Sequence, residues 1–115
     1  MPQYQKYINK DNVIVAGPHK VYGPETNDLI LQMRKRGIDK VVLAGMSANL
    51  CVEAHMRELL EAGFEVSVVT DATAGAILPD MNAYEAALIN FRMMASHLYK
   101  TDEVLQELAN GNAGK

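Results

Sequence analysis

The residue with the clearest chemical potential is Cys51, the only cysteine in the chain. An apolar run over residues 40–44 stops at Gly45, and a short turn leads from there to the cysteine. The pattern predicts a strand, a tight turn and a helix that begins at or beside Cys51, where unpaired N–H groups and the helix dipole stabilise a thiolate. Cys51 is therefore a candidate nucleophile. The alternative is that it only packs in the core, as most free cysteines do.

An activated thiol needs a cation or a base beside it, and Lys20 is the leading candidate. Lys20 follows an apolar run over residues 13–16, just as Cys51 follows the next such run. Because the carboxyl ends of neighbouring parallel strands meet at one edge of a sheet, we expect the two side chains to lie close together. The alternative is a solvated lysine. His19 and His55 are the other candidate bases, and His55 lies four residues after Cys51 on the same predicted helix, where it can also pack or cap.

The turn itself offers donors for a developing negative charge. Backbone N–H groups from Ser47 to Cys51 would form an anion-binding nest, and a turn that only caps its helix with Asn49 has the same sequence. No set of His, Asp and Glu residues has the spacing of metal ligands, and a single cysteine excludes a thiolate zinc site. We therefore expect no metal and no cofactor.

Alternating strands and helices must position these groups. The predicted strands cover residues 13–16, 40–44, 64–70 and 95–99 (the last a short edge strand), with residues 1–12 as a loop and residues 71–76 turning away from the sheet. Four helices are predicted: from Gly23-Pro24 to Arg36, from Cys51 to Gly63, over residues 81–94, and from Thr101 onward. In the last of them, Val104, Leu105 and Leu108 are expected to face inward. Short connections between such elements give right-handed βαβ units, so the class is α/β, with a parallel sheet between two helical layers.

Composition limits the number of domains, the classes of binding partner and the compartment that are plausible for this chain. The 115 residues, 49% of them hydrophobic, are enough for one domain with a real core. A net charge of −3 without a basic stripe argues against nucleic acid, and no apolar run is long enough for a membrane span. One cysteine and no signal-peptide pattern predict a reducing cytoplasm.

A resemblance to a known family rests on three segments at and after Cys51. The chain resembles the isochorismatase-like cysteine hydrolases, which include nicotinamidases and N-carbamoylsarcosine amidases. The segments that carry it are Gly45-Met46-Ser47-Ala48-Asn49-Leu50-Cys51-Val52-Glu53-Ala54, Gly63-Phe64-Glu65-Val66 and Val68-Val69-Thr70-Asp71-Ala72.

The resemblance implies a fold and a set of roles. The family has a parallel six-stranded sheet between helices and hydrolyses amide or related bonds through an Asp, Lys, Cys triad. Cys51 would be the nucleophile and Lys20 the triad lysine, with Lys10 a weaker candidate. A cis peptide bond would fall at Met46-Ser47, and the N–H groups of Ser47 and Cys51 would face the oxyanion.

The chain also departs from the family pattern. The triad aspartate ends the family's first strand, yet the only acid before Lys20 is Asp11, in a polar segment with no strand in front of it. Asp71 matches the Asp-Ala after a later strand, so it does not take the triad role. The family's metal-binding acid and histidines have no matched positions. We therefore expect residues 1–115 to be a single isochorismatase-like domain that is incomplete at its N-terminus.

Two functions follow from these expectations. The first is a cysteine hydrolase that acts on a small amide-type substrate and assembles as a homo-oligomer. The second is a catalytically impaired remnant that serves as an oligomerising or interaction module through an open sheet edge. A nucleotide-binding module is disfavoured because the chain has no Gly-rich phosphate loop.

Overall fold

The structure, a computed structural model, describes residues 2–17 and 22–111. The helices are α1 (Pro2–Ile8), α2 (Leu29–Lys35), α3 (Glu53–Glu61), α4 (Ala83–Met94) and α5 (Thr101–Ala109), with a π-helical turn at Ala48–Val52 directly before α3. The strands are β1 (Lys40–Met46), β2 (Glu65–Ala74), β3 (Ile77–Leu78), β4 (Met81–Asn82) and β5 (His97–Tyr99).

Three of the strands form a parallel sheet in the order β1-β2-β5. The register pairs Lys40 with Glu65 at one end of β1 and Ser67 with His97 between β2 and β5. The predicted α/β class with a parallel sheet is confirmed. In the described part of the chain β1 has a neighbour on one side only, so its other edge is open.

The core lies between this sheet and the helices that connect its strands. Five consecutive residues of β2 are buried, as a central strand covered on both faces requires. The largest fully buried side chains are Phe91, Met56, Leu59, Val66 and Val68. Met56 and Leu59 lie on the face of α3 that packs against the core. In the described residues no helix is both long enough and apolar enough to cross a bilayer.

The N-terminal predictions are wrong. Residues 2–8 form helix α1 instead of a loop, and residues 13–16 form no strand. Val15 is 73% exposed, and Val13 and Ile14 are also exposed. A β-branched run becomes a buried strand only where a neighbouring strand pairs with it, and the described residues provide none beside this run.

The stretch after Thr70 also differs from the prediction. Residues 71–74 do not turn away but continue β2, which pairs Gly45 with Thr73 after a register shift in the ladder. A small antiparallel hairpin of β3 and β4 follows, so α4 begins at Ala83 and not at Met81. The Asn82 side chain accepts a hydrogen bond from the Glu85 N–H, and this cap sets the start of α4.

Two helices are less extensive or less buried than predicted. Helix α2 begins only at Leu29, where the Asn27 side chain accepts the Leu29 N–H, although it ends before Gly37 as expected. In α5 the predicted inward residues Leu105 and Leu108 are exposed. An amphipathic pattern shows which face is apolar but not whether a neighbouring layer covers it.

Asp71 fastens the start of α5 to the end of β2. Its Oδ1 accepts hydrogen bonds from the Thr101 hydroxyl and the Thr101 N–H, both at 2.8 Å. The side-chain hydrogen bond from Thr101, with the backbone one, lowers the pKa of Asp71 below its usual 3.8. Asp71 thus caps the start of α5 from the end of β2.

This contact predicts a pH-dependent stability. A carboxylate with a depressed pKa stabilises the fold above its unfolded pKa, and this contribution disappears as the pH falls through the folded pKa. We expect Asp71→Asn to lower the melting temperature at pH 7, and the difference from the wild type to shrink below about pH 4. Thermal melts from pH 3 to pH 7 measure this, with Asp80→Asn as the matched control. A difference that stays constant with pH would contradict it.

Candidate active site

The end of β1 and the turn that follows place Cys51. The Met46-Ser47 peptide bond is cis, at the position that the resemblance implies. The Ser47 carbonyl then accepts the N–H groups of Leu50 and Val52, each at 3.1 Å, which closes the π-helical turn. Ala48 and Val52 are buried and hold this turn in the core. Cys51 lies between them, half-buried, at the carboxyl end of a parallel strand.

A shallow depression of about 200 Å³ lies against the cysteine. It is lined by Cys51, Val52 and His55 on the helical side and by residues 43–46 of β1. Met46, at the end of the strand, is 74% exposed. The depression is therefore a place where a small molecule can reach the thiol. The last four residues of β1 form one of its walls.

His55 is held by the backbone of the cysteine. Its Nδ1 lies 2.8 Å from the Cys51 carbonyl oxygen. Since a carbonyl only accepts, Nδ1 carries the proton, and in the neutral ring Nε2 is the basic nitrogen. The contact places the His55 ring against the backbone of the Cys51 turn.

A polar link between two helices supports the start of α3. Glu53 accepts a hydrogen bond from the Asn90 amide at 2.9 Å through one carboxylate oxygen and pairs with Arg57 at 3.3 Å through the other. Only 15% of the Glu53 side chain is exposed. Sequence spacing alone suggests the pair with Arg57, four residues on, but carries no signal for Asn90. The link ties the Cys51 turn to α4.

The structure does not bring all the predicted site residues together. Lys20 and His19 lie outside the described residues. Lys10 is exposed, with its Nζ 5.7 Å from the centre of the Tyr7 ring, and Asp11 is exposed nearby. Neither Lys10 nor Asp11 lines the depression beside Cys51.

The alternative to the anion-binding nest, a turn in which the Asn49 side chain caps the helix, is not what the structure shows. The turn begins at Ser47 without a side-chain cap, and the Asn49 Oδ1 is buried without a hydrogen-bond partner in the described chain. The backbone bonds of the π-helical turn use the groups that a cap would otherwise satisfy. Across residues 2–17 and 22–111, no cluster of three metal-ligating side chains occurs.

Comparison with known proteins decides the family. The sequence model of the Isochorismatase domain matches residues 3–103, which is most of the chain. The chain belongs to the isochorismatase family. The predicted resemblance is confirmed.

Relatives within the family show how much of a typical member is represented. Isochorismatase family protein YecD of Escherichia coli O157:H7 is 47% identical over 43% of this chain and 26% of its own length. Nicotinamidase 3 of Arabidopsis thaliana is 32% identical over 82% of this chain and 49% of its own length. A cysteine hydrolase structure from Pseudomonas syringae pv. phaseolicola matches with a TM-score of 0.80 at 20% identity, over 88% of this chain and 51% of that one. The chain thus spans about half or less of the length of these isochorismatase relatives.

Proposed function

We propose that Cys51 is the nucleophile of a cysteine hydrolase that acts on a small amide-type substrate. The observation that carries the proposal is the place of Cys51, half-buried in a tight turn at the end of β1 and facing a depression open to small molecules. The similarity to a nicotinamidase favours an amide as the bond that is cleaved.

The proposed reaction has two steps. The Cys51 thiolate attacks the amide carbonyl carbon, the C–N bond breaks, and the amine leaves with a proton from a general acid. Water then hydrolyses the thioester, which releases the carboxylic acid and restores the thiol. The N–H groups of Ser47 and Cys51 are the proposed donors to the oxyanion, and Lys20 is the proposed cation beside the thiolate.

The general acid is the part that these residues do not supply. Asp71 caps α5, and Asp11 lies away from the depression. We therefore expect amide turnover to depend on an acid from outside residues 1–115, while attack by the thiolate does not depend on it. A single free thiol stays reduced most readily in the cytoplasm, which is the compartment we propose.

An activated ester separates these two requirements. The phenolate of p-nitrophenyl acetate leaves without a proton, so acylation of Cys51 needs no general acid. We expect a burst of about one equivalent of phenolate and an acetyl group on Cys51 by mass spectrometry, at least about tenfold faster than in the urea-unfolded chain, because a positioned thiolate is the better nucleophile.

The controls use the same assay. Cys51→Ser is expected to abolish the burst, and since the chain has one cysteine, no other thiol contributes. Nicotinamide, with ammonia release as the readout, is expected to show little turnover by the chain alone. A folded chain that reacts no faster than the unfolded one would refute the nucleophile.

A second function is favoured by the open edge of β1. Val42 and Met46 on this strand are 42% and 74% exposed, and an unpaired edge with apolar side chains is suited to pairing with another strand. In that role the chain is an interaction module, and Cys51 takes no part in chemistry. The absence of the acylation burst in a folded protein favours this second function.

A further inference from the structure

The outer face of α4 carries apolar side chains that nothing in the described chain covers. Ile89 is 62% exposed and Met93 is 78% exposed, one turn apart, and Ala86 is exposed beside them. Ile89, Met93 and Arg92 line a surface groove of about 330 Å³. The buried residues of α4, Ala87 and Phe91, point to the other side of the helix, towards the core.

Two opposite charges border this apolar face. Glu85 and Arg92 are exposed and lie two helical turns apart, on either side of Ile89 along the axis. Among residues 2–17 and 22–111, neither side chain makes an ion pair or a hydrogen bond. Both lie on the same flank of Ile89, because 3.6 residues per turn place them close to one line along the helix.

We infer that α4 binds α4 of a second copy of this chain, antiparallel, about a two-fold axis that passes Ile89. In such a pair each Glu85 faces the partner's Arg92 on one flank, and each Met93 faces the partner's Ala86 on the other. The midpoint of positions 85 and 92 falls just before Ile89, and that of positions 86 and 93 falls just after it. The two midpoints lie only about 1.5 Å apart along the helix, so one axis beside Ile89 brings both sets of side chains within reach of each other.

This arrangement points to a second copy and not to an unrelated partner. A two-fold interface must be complementary to itself, and one acid four positions before and one base three positions after a central apolar residue meet that condition. The same pairing on both sides of the axis also fixes the antiparallel direction, since a parallel pair would place like charges together.

Charge reversal tests the pairing by sedimentation velocity on the full 115-residue chain. We expect the wild type to be a dimer at micromolar concentration. Glu85→Arg and Arg92→Glu, each alone, place like charges opposite each other at two points, and each should weaken the dimer at least about tenfold. The double variant E85R/R92E restores opposite charges and should dimerise like the wild type.

Mixing the two single variants gives the sharpest result. In the mixed pair, one copy carries Arg at positions 85 and 92 and the other carries Glu at both, so both ion pairs form again. We expect the equimolar mixture to form heterodimers while each variant alone stays monomeric. Circular dichroism checks that all variants fold. If a charge-reversal variant does not fold, Glu85→Gln and Arg92→Gln replace it as milder substitutions.

Several outcomes would overturn the inference. A wild-type monomer at micromolar concentration is one. A dimer that survives Ile89→Lys and all charge reversals is another, and it would place self-association elsewhere, such as the open edge of β1. Failure of both the double variant and the mixture to dimerise, when both are folded, would show that Glu85 and Arg92 do not pair across the interface.

Discussion

Phe91→Ala is expected to lower the free energy of unfolding by about 3–5 kcal/mol. The Phe91 ring is fully buried and belongs to the same core cluster as Met56 and Val68, so its removal leaves a cavity between α4 and the sheet. Domains of this size are stabilised by only about 5–15 kcal/mol in total. The variant should therefore lose a large share of its stability and melt at a clearly lower temperature than the wild type.

Urea denaturation followed by circular dichroism measures this loss. Leu105→Ala is the matched control, because Leu105 is 60% exposed and its truncation should change stability by no more than about 0.5 kcal/mol. A loss below about 1 kcal/mol for Phe91→Ala would mean that the site collapses around the cavity or that the ring is not buried in solution.

Gly45→Ala is expected to cost about 1–3 kcal/mol and to slow acylation of Cys51 at least about tenfold. Gly45 has φ of 123°, a conformation that a residue with a side chain rarely adopts, and it lies where the β1–β2 ladder shifts register. An added Cβ would meet nothing within 4 Å, so the cost comes from the backbone and not from a clash. Alanine at this φ would be strained, and a shift of the backbone that relieves the strain would move the part of β1 that lines the depression beside Cys51.

Gly17→Ala separates this effect from a general loss of glycine. Gly17 lacks a positive φ and also has open space around an added Cβ, so the substitution should be neutral or stabilising by up to about 1 kcal/mol. Denaturation and the ester burst are measured on both variants. If Gly45→Ala matches Gly17→Ala in both assays, the unusual backbone at position 45 has no bearing on the site.

The fold could be predicted where local and long-range signals agree. Residues 40–44 and 65–70 are mostly apolar runs rich in valine, each preceded by a helix that ends just before a glycine, and both are strands of the sheet. Residues 13–16 have the same local pattern but no pairing neighbour in the described chain, and they are exposed. Residues 71–74 lack a strand signal, yet pairing with β1 across a register shift keeps them in β2. Pairing, which one sequence does not encode locally, decides both cases.

The candidate site likewise combines local features, which the sequence reveals, with long-range contacts, which it does not. The turn and its single cysteine could be found from the sequence, because an apolar run, a glycine and a helix start are all local features. The link from Glu53 to Asn90 could not, since it joins residues 37 positions apart. The predicted contact of Lys20 with Cys51 stays a prediction, as Lys20 lies outside the described residues.

The one-sided pairing of β1 has a consequence for backbone dynamics. Successive residues of a strand direct their amides to opposite edges, so in the described chain alternate amides of β1 bond to β2 while those between them face outward. Hydrogen–deuterium exchange along β1 should therefore alternate between slow and fast, whereas β2, paired on both sides at Ser67 and Val68, exchanges slowly at both of those amides. Any strand that covers the open edge would make the two classes of β1 amide equal, so exchange along this single strand reports whether that edge is covered.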